Sequence, residues 1–415
     1  MSAERTNWAG NLTYGATRVH TPSSVEELQD VVARTTRIRA LGSRHSFSDV
    51  ADTTGELVSV AGLPPRVDVD TAARTVTVAA GLRYGDLAEQ LHRQGWALHN
   101  LGSLPHLSVA GAVATATHGS GDGNGNLATA VAALHLVRAD GELVTLRRGE
   151  PDFDGAVVAL GALGVVVAVT LDVVPAFDVR QVVYDDLALD TVGERFDDIF
   201  AAAYSVSVFT DWAGTTRGWV KHRVGDGDWT PDPAWMGARP ADGPRNPVPG
   251  MPAVNCTEQL GVPGPWYDRL PHFRLEFTPS SGEELQSEFL VPRAHGVAAF
   301  SAVAALAGHI APVLQICELR TVAADDLWLS PSYGRDVVGI HFTWRKDPEG
   351  VAPVLARIER ALSPYEPRPH WGKLFTVAPG QVRERYPRLA DFRRLRGEYD
   401  PDGRFGNAFT ARYLG

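Results

Sequence analysis

The sequence predicts an α+β protein with two domains. At 415 residues the chain is long enough for two or three domains. Strand-like and helix-like segments alternate irregularly in its first part and are joined by glycine-rich connections, a pattern typical of a mixed α+β architecture. The composition changes near residue 176, after which most of the tryptophans occur. We therefore expect one domain over residues 1–175, a second over 176–395, and a segment over 396–415 that returns to the first domain.

The elements of the first domain follow from the spacing of apolar residues. Spacings of three and four predict helices, and strict alternation predicts paired strands. In order, the predicted elements are a helix over Thr21–Val32, a strand over Ile38–Leu41, a hairpin of Val67–Asp70 with Thr75–Val78, a helix over Tyr84–Gln94, a hairpin over Leu134–Leu146, and a strand over Val165–Leu171.

The second domain is predicted by the same rules. Asp226–Pro252 is rich in Pro, Gly and Asp and is predicted to be a long surface loop. The turn-rich, aromatic segment Asp400–Phe409 predicts a tail that packs back onto the body. The remaining elements are strands over Phe273–Phe277 and Val338–Trp344 and helices over Ala294–Ala307 and Ala352–Leu362.

Composition excludes several classes of function. The chain is 44% hydrophobic and 21% charged, as expected for a globular protein, and its net charge of −10 disfavours a nucleic-acid partner. The longest apolar run, Val165–Val174, contains Asp172 and is far shorter than the ~20 residues that span a bilayer. Two cysteines and no apolar N-terminal segment predict a cytoplasmic protein without a membrane partner.

Two stretches of small residues indicate a cofactor site. In Arg39–Asp49 a strand stops at Gly42 and His45 follows; Gly102–Gly121 is a second stretch rich in Gly, Ser and His. Small residues let the backbone approach a flat, bulky ligand. A single histidine beside a glycine turn is by itself typical of a hydrogen-bonded loop, but the two stretches together suggest a cofactor, with His45 at its centre.

Two other kinds of site are less well supported. Gly119–Gly125 resembles a dinucleotide fingerprint, but no strand precedes it and no acidic residue closes a βαβ unit, which leaves a phosphate-cradling loop or a flexible surface loop. The histidines His45, His106 and His118 are far apart, and the sequence has no His-Glu-x-x-His or Cys-x-x-Cys pattern. We therefore expect no metal site.

Polar residues on apolar strands indicate a second part of the site. Alternation places Glu318 and Arg320 on one strand face and His341 and Thr343 on another. Such a charged pair is commonly a solvated edge, but the apolar residues before Glu318 favour a buried strand that lines a cavity. Together with the aromatic turn Pro369–Lys373, these side chains would suit a polyhydroxylated ligand, which requires many buried donors and acceptors.

Several of these motifs closely resemble one family. The alditol (xylitol) oxidases, which belong to the vanillyl-alcohol-oxidase or PCMH-type FAD-dependent oxidoreductases, share them in the same order over essentially the whole chain. The motifs are Leu41–Asp49, Ser103–Gly111, Thr117–Gly121, Cys317–Asp325 and His370–Lys373. The resemblance implies a two-subdomain PCMH-type FAD-binding domain and an α+β cap domain built on an antiparallel sheet. It also implies oxidation of a terminal polyol hydroxyl to the aldose, with O₂ reduced to H₂O₂.

The resemblance also implies a role for each site residue. His45 would carry a covalent bond to FAD. Lys373, His341 and Arg320 would be catalytic, and Lys373 and His341 both stay open as acceptors of the hydroxyl proton. Substrate contacts are implied for Ser103, Glu318, Arg320, Thr343 and Lys373. Further FAD contacts are implied for Leu41, Gly42, Ser43, Arg44, Ser46, Phe47, Ser103, Ser108, Gly111, Thr115, Thr117, His118, Gly119, Val165, Val166 and His370.

Two positions and two alternatives complete the sequence prediction. Arg44 stands where a small residue is expected beside the flavin-linked histidine, and Gly102 leaves room for O₂ and favours an oxidase over a dehydrogenase. An aldonolactone oxidase (gulono-, galactono- or arabinonolactone) would share the same cofactor and fold. A non-enzymatic sugar-binding protein would use the glycine-rich segments only as turns. The chain has no heptad pattern or exposed apolar stripe, so we expect a monomer.

Overall fold

The computed structural model describes residues 6–227 and 230–415. The first five residues of the predicted first domain, and Asp228 and Trp229 of the predicted insertion, lie outside this range. The described chain begins with a small parallel sheet in the order β1-β3-β2. Its strands are β1 (Arg18–His20), β2 (Ile38–Leu41) and β3 (Glu56–Ser59), and helix α1 (Val25–Arg34) precedes β2.

Helix α1 begins where the sequence places its start signals. The Ser24 side chain accepts a hydrogen bond from the Glu27 backbone N–H and so caps the helix. Leu28, Val31 and Val32 are fully buried, which confirms the predicted apolar stripe. The helix thus closes one face of the small sheet and leaves the end of β2 to continue into the His45 segment.

A second, antiparallel sheet completes the first half of the chain in the order β4-β5-β9-β7-β8. The strands are β4 (Val67–Asp70), β5 (Thr75–Ala79), β6 (Trp96–Ala97), β7 (Val131–Val137), β8 (Leu143–Arg147), β9 (Val165–Asp172) and β10 (Val174–Pro175), with β6 paired to β10. The helices are α2 (Tyr84–Arg93), α3 (Val109–Ala114) and α4 (Phe153–Val157). The elements predicted for this half are confirmed.

The second half is built on a large antiparallel sheet in the order β14-β11-β13-β12-β17-β18-β16-β19, with β15 also paired to β11. The strands are β11 (Asp178–Asp185), β12 (Ser205–Thr210), β13 (Thr216–Arg223), β14 (Arg239–Pro240), β15 (Gly264–Pro265), β16 (Glu284–Pro292), β17 (Leu314–Val322), β18 (Val337–Arg345) and β19 (Arg368–Pro369). Alternation along β18 sends Ile340, Phe342 and Trp344 into the core and His341 and Thr343 to the opposite face.

Helices accompany this sheet and close the chain. They are α5 (Leu189–Glu194), α6 (Phe196–Phe200), α7 (Gly296–Ala304), α8 (Ala307–Ile310), α9 (Pro348–Leu362), α10 (Pro379–Glu384), α11 (Leu389–Tyr399) and α12 (Ala408–Tyr413). Helices α7 and α9 confirm the predictions for 294–307 and 352–362. Within the described residues, no helix combines the length and the apolar character needed to cross a membrane.

Two predictions about the second half were wrong or incomplete. Phe273–Phe277 is not a strand but a turn that begins at an isolated bridge between Phe273 and Cys256. The reason is that the Phe273 backbone N–H donates to the Ser103 carbonyl in the other half of the molecule. The predicted surface loop Asp226–Pro252 contains the short strand β14 and is fixed by an ion pair between Arg245 and Asp185.

The tail packs against the start of the chain, as predicted. The Ile38 N–H donates to the Arg404 carbonyl at 2.9 Å, and Phe405 is fully buried. Arg39, itself buried, donates to the carbonyls of Phe405 at 2.7 Å and Leu160 at 2.7 Å. Because a buried guanidinium needs several acceptors, Arg39 ties β2 to segments more than a hundred residues away in sequence.

Candidate functional site

A cavity of about 740 Å³ lies between the first-half sheets and the large antiparallel sheet. Its volume is within the ~300–1,000 Å³ of small-molecule sites. The cavity runs from Leu63 and Pro65 in the first half to Thr343 in the second. The predicted site residues that line it are Leu41, Gly42, Ser43, Arg44, His45, Ser46, Phe47, Ser103, Ser108, Gly111, Thr115, Thr117, His118, Val166, Glu318, Arg320, His341, Thr343, His370 and Lys373.

Two predicted cofactor residues do not line the cavity. Val165 is fully buried in a separate hydrophobic cluster because alternation along β9 turns it away from Val166. Gly119 packs against the backbone of Leu101, and an added Cβ would lie 2.3 Å from the Leu101 carbonyl oxygen. Across residues 6–227 and 230–415, no group of three or more His, Cys, Asp or Glu side chains is arranged to hold a metal ion.

The two glycine-rich stretches meet and form one wall, which we call the cradle (Gly42–Phe47 with Ser108–Thr117). The Ser43 N–H donates to Ser108 Oγ at 3.3 Å, and the Ser108 N–H donates to Ser43 Oγ at 3.2 Å. A Cβ at Gly42 would lie 2.9 Å from Ser108 Oγ, and one at Gly111 would lie 2.8 Å from it. The cradle therefore depends on small residues, as the sequence predicted for a wall that a flat ligand approaches.

The turn Pro369–Lys373 closes against the cradle. The Phe47 N–H donates to the Gly372 carbonyl at 2.7 Å, and Ser48 Oγ donates to the Trp371 carbonyl at 2.7 Å. His370 is buried, and this burial holds its pKa well below the usual value. Three motifs that are widely separated in sequence thus meet at the cradle, and the end of the turn carries Lys373 to the opposite wall.

His45 is held as a neutral side chain in the cradle. Burial, and to a smaller extent nearby His106, lowers its pKa from 6.5 to about 4. The ring stacks on Trp8 with centroids 5.3 Å apart, and its Nδ1 lies 2.9 Å from the Ser43 carbonyl oxygen. A neutral imidazole retains a lone pair on one ring nitrogen, so His45 can act as a nucleophile toward a ligand in the cavity.

Arg44, which precedes His45, has an unusual backbone conformation. Its φ is +64°, in the left-handed region that favours glycine, and its carbonyl accepts a hydrogen bond from the Trp8 N–H at 2.8 Å. The half-buried side chain contributes to the cavity wall. The Arg44 backbone carbonyl therefore helps to fix Trp8, the tryptophan that stacks on His45.

The opposite wall is a set of buried and half-buried titratable side chains, which we call the charged floor (Glu288, Glu318, Arg320, His341 and Lys373). Register places Glu288 opposite His341 across β16 and β18, and Glu318 opposite the same His341 across β17 and β18. Three neighbouring strands thus carry a Glu–His–Glu row. A carboxylate on each side of one imidazole is an arrangement that can take up and stabilise a proton.

Glu288 connects the cations of the charged floor. Its Oε1 accepts from Arg320 Nη2 at 2.6 Å, and its Oε2 accepts from Lys373 Nζ at 2.7 Å. Burial alone would raise the pKa of Glu288, but Arg320 and Lys373 hold it well below the usual value. Gly339 lies opposite Arg320 in β18, and a Cβ there would lie 3.0 Å from Glu288 Oε1. The missing side chain leaves space for Arg320 to reach across β18.

His341 brings an unpartnered imidazole nitrogen to the charged floor. Its Nδ1 lies 3.6 Å from Glu318 Oε2, while its Nε2 is buried and has no hydrogen-bond partner. Burial and the neighbouring Lys373 lower its pKa from 6.5 to about 4, so the ring is neutral at neutral pH. Arg320, which also faces Glu318, holds the pKa of that carboxyl well below its usual value despite burial.

His118 joins the cradle to the charged floor. Its Nδ1 lies 2.9 Å from the Gly119 carbonyl oxygen and its Nε2 lies 3.2 Å from Glu288 Oε1. The His118 carbonyl also accepts a hydrogen bond from Arg320 Nη1 at 3.4 Å. Burial and Glu288 act in opposite directions on Lys373, and burial prevails, so the pKa of Lys373 is lowered.

Sequence reasoning missed two residues of this site. Glu288 lies in the strand Glu284–Pro292, where Glu284, Gln286 and Glu288 alternate along one face and are all buried. This alternation of polar side chains was the signal that could have identified it. His272 lies 3.1 Å from Glu318 Oε1 through its Nε2. Because His272 follows a turn and belongs to no regular element, no periodicity marked it.

The cavity fits a flavin cofactor together with a small polar ligand. The cradle offers glycines whose Cβ atoms would have no room, and a neutral histidine at the cavity wall. The charged floor adds an unpartnered buried imidazole nitrogen that faces the same space. One wall therefore suits a large planar group and the other suits hydroxyl groups.

Family profiles match both halves of the chain. A profile described as FAD binding domain matches residues 16–147, and one described as D-arabinono-1,4-lactone oxidase matches residues 283–413. The first contains the cradle and the second contains the whole charged floor. The two profiles therefore divide the chain in the same way as the two walls of the cavity.

Full-length relatives and a solved structure give a consistent result. An alditol oxidase of Streptomyces sp. is 55% identical and covers 100% of both chains. An L-gulono-1,4-lactone dehydrogenase of Mycobacterium tuberculosis is 32% identical over 100% of both chains, and an L-gulonolactone oxidase of Mus musculus is 28% identical over 98% and 97%. The crystal structure of cholesterol oxidase from B. sterolicum superposes with a TM-score of 0.81 at 16% identity, covering 99% and 96%, which shows the PCMH-type fold.

Proposed function

This chain belongs to the alditol oxidase family of FAD-dependent oxidoreductases, and we propose that it oxidises the terminal hydroxyl of linear polyols such as xylitol and sorbitol to the aldose. FAD, when bound in the cavity, accepts the electrons of this oxidation and transfers them to O₂, which yields H₂O₂. The cradle would hold FAD, and the charged floor would hold the polyol. The observation that carries the proposal is the Glu288–His341–Glu318 row, which lines the cavity and whose Glu288 is bonded to Arg320 and Lys373.

His341 is the proton acceptor in this proposal. Its buried Nε2 has no partner and its ring is neutral, so it can accept the hydroxyl proton as the C–H bond is broken. Glu318, 3.6 Å from Nδ1, stabilises the imidazolium that results. Lys373 is the weaker candidate because its Nζ already donates to Glu288 Oε2 at 2.7 Å.

The cations of the charged floor stabilise negative charge as it develops. Arg320 and Lys373 are both bonded to Glu288, so they are oriented before a substrate arrives. Their preorganised N–H groups lower the cost of forming an alkoxide-like oxygen in the cavity. Ser103, Glu318 and Thr343 fix the register of the polyol by hydrogen bonds to its hydroxyls.

His45 would carry the covalent bond to FAD. Its neutral, half-buried ring and its position in the cradle support this role. We expect His45→Ala to bind FAD without a covalent link. Acid precipitation should then give a colourless pellet and a yellow supernatant, whereas the unaltered chain should give a yellow pellet. A yellow His45→Ala pellet would assign the link to another residue.

The substrate class is tested by paired peroxide assays. Xylitol and sorbitol should be oxidised with kcat/KM at least tenfold above that for gulono-, galactono- or arabinonolactone. Preference for a lactone would instead support the aldonolactone oxidase alternative. The lactone dehydrogenase of M. tuberculosis is 32% identical to this chain and the alditol oxidase is 55% identical, so the comparisons favour the alditol oxidase. A colourless purified protein would favour the sugar-binding alternative.

Cellular location and oligomeric state complete the proposal. We place the enzyme in the cytoplasm as a monomer. Both cysteines, Cys256 and Cys317, are buried and free, which agrees with a reducing compartment. Fractionation and light scattering test these points: recovery with a periplasmic fraction, or a mass of twice 44.7 kDa, would contradict them.

A further inference from the structure

A buried chain of polar groups lies behind Glu318, on the side away from His341. It runs from Lys221 on β13 to His272 and ends at Glu318. Lys221 is 1% exposed and His272 is 4% exposed. Burying a lysine and a histidine is unfavourable unless they make specific hydrogen bonds, so a structural or functional gain has to offset the cost.

The hydrogen bonds of Lys221 are directed at the segment that carries His272. Its Nζ donates to the carbonyls of Leu270 and Pro271, the latter at 3.4 Å, and lies 3.4 Å from His272 Nδ1. Thr257 Oγ1 donates to the same Pro271 carbonyl at 2.7 Å. The segment is thus fixed from two sides without belonging to a helix or strand.

Lys221 determines which nitrogen of His272 carries the proton. An ammonium group is only a donor, so the nitrogen facing it, Nδ1, has to be the acceptor. The proton then resides on Nε2, which donates to Glu318 Oε1 at 3.1 Å. The ring packs edge-on against Phe209 and Trp219, each with centroids 5.1 Å away, so it cannot rotate freely.

His272 also contacts the other wall of the cavity. Its backbone N–H donates to the Ser103 carbonyl at 3.2 Å. One residue therefore bonds to the segment of Ser103 through its backbone and to Glu318 through its side chain. Both Ser103 and Glu318 line the cavity and are assigned to polyol hydroxyls above.

The protonation states of Lys221 and His272 agree with the assigned proton positions. Burial and Lys221 lower the pKa of His272 to about 4, so its ring is neutral. Burial lowers the pKa of Lys221 to about 7, opposed by Glu318 and Cys256, so the ammonium form prevails below neutral pH. Arg320 also faces Glu318, but its Nε lies 3.6 Å from Oε2, the oxygen next to His341, and not from the oxygen that His272 contacts.

We propose that Lys221 and His272 are positioning residues for polyol recognition: Lys221 fixes the tautomer of His272, and His272 holds Glu318 and Ser103 at the spacing that one polyol spans. This inference rests on the proposed function, because it assigns a role to the support of the same substrate contacts. Neither residue lies in a motif that the sequence singled out, and neither is given a part in proton transfer.

The test uses the FAD-loaded enzyme mixed anaerobically with xylitol in a stopped-flow instrument at pH 6, which separates the xylitol Kd from the limiting rate of flavin reduction. His272→Phe keeps a ring between Phe209 and Trp219 but removes the donor to Glu318. We expect its Kd to rise at least about tenfold, as for a lost hydrogen bond to a buried carboxylate. The limiting rate should stay within about threefold of the unaltered enzyme.

A conservative variant and a matched control distinguish positioning from general packing. His272→Gln restores an N–H near the Nε2 position and should recover a Kd within about threefold of the unaltered enzyme. His222→Phe makes the aromatic substitution one residue from Lys221, on the opposite face of β13, and should leave the Kd unchanged. Lys221→Met removes the donor that faces His272 Nδ1, so the proton of His272 is no longer confined to Nε2, and the Kd should rise about fivefold. This variant provides a second test if His272→Phe does not fold.

Three outcomes would overturn the inference. An unchanged Kd in both His272→Phe and Lys221→Met would show that Glu318 needs no support. Equal losses in His272→Gln and His272→Phe would assign the residue to packing alone. A lower reduction rate at unchanged Kd would assign it to the chemical step. If xylitol fails to reduce the unaltered enzyme, the proposed function fails instead.

Discussion

The cradle and the charged floor line the same cavity but are built by different physical means. The cradle is held by small residues and reciprocal backbone–side-chain bonds, such as those between Ser43 and Ser108. The charged floor is held by ion pairs around one buried carboxylate, Glu288. The comparison teaches that binding a large planar group depends on shape, whereas binding and oxidising a polyol depends on charges that are oriented in advance. Changes in the two walls should therefore have separable effects.

The largest effect is expected for Lys373→Met in the charged floor. The variant removes a preorganised cation next to the proposed position of the reacting hydroxyl, so flavin reduction by xylitol should slow by about 10³-fold. FAD content should stay the same, because the cradle is unaltered. Stopped-flow spectroscopy measures the rate of flavin reduction, and the absorption spectrum measures the FAD content. Lys346→Met, which removes a lysine paired with Glu283, is the control and should leave the rate of flavin reduction unchanged. A normal reduction rate in Lys373→Met would contradict the separate roles given to the two walls.

A second, smaller effect is expected for Glu288→Gln. The variant removes the negative charge of Glu288, which orients both Arg320 and Lys373. We expect kcat/KM for xylitol to fall about 10²-fold and the free energy of unfolding to fall by about 3 kcal/mol, because one partner of a buried ionic group is lost. Denaturant titration and steady-state assays measure the two quantities. Loss of FAD without loss of xylitol turnover per flavin would contradict the role given to Glu288.

The cradle is tested by Gly42→Ala. The new Cβ would lie 2.9 Å from Ser108 Oγ and would displace the bonds between Ser43 and Ser108. We expect FAD loading to weaken about tenfold, which corresponds to one lost hydrogen bond, while the loaded fraction is reduced at the normal rate. Gly123→Ala, where an added Cβ meets nothing within 4 Å, is the matched control. A slower reduction rate per bound flavin would show that the walls are not independent.

The smallest effect concerns pH. The pKa of His341 is lowered to about 4, so the ring is neutral, and able to accept a proton, at every pH above that value. Flavin reduction by xylitol should therefore change little between pH 7 and pH 5 and fall to half near pH 4. An acid limb with its midpoint near 6.5, the usual pKa of histidine, would show that His341 is solvated or that another group takes the proton.

The cradle was predictable from the sequence because its signal is local. The small residues around Gly42 and Ser108 stand in two short stretches, and β2 and α1 before them follow from apolar spacing alone. Glu318, His341 and Lys373 were identified partly from alternation and partly from the family resemblance. Glu288 was missed because its role depends on the register of three strands, which pairs it with His341 across β16 and β18. His272 was missed because its position is set by contacts from Lys221 and Ser103, far away in sequence.

Arg39 has a consequence for the order in which the enzyme is made. Its bond to the Phe405 carbonyl spans 366 positions of sequence and braces β2, the strand that leads into the cradle. At a synthesis rate of ~5–20 residues per second, roughly 20–70 s separate the two residues on the ribosome. The wall that receives the cofactor is therefore completed late in synthesis, and cofactor loading belongs to the maturation of a nearly finished chain.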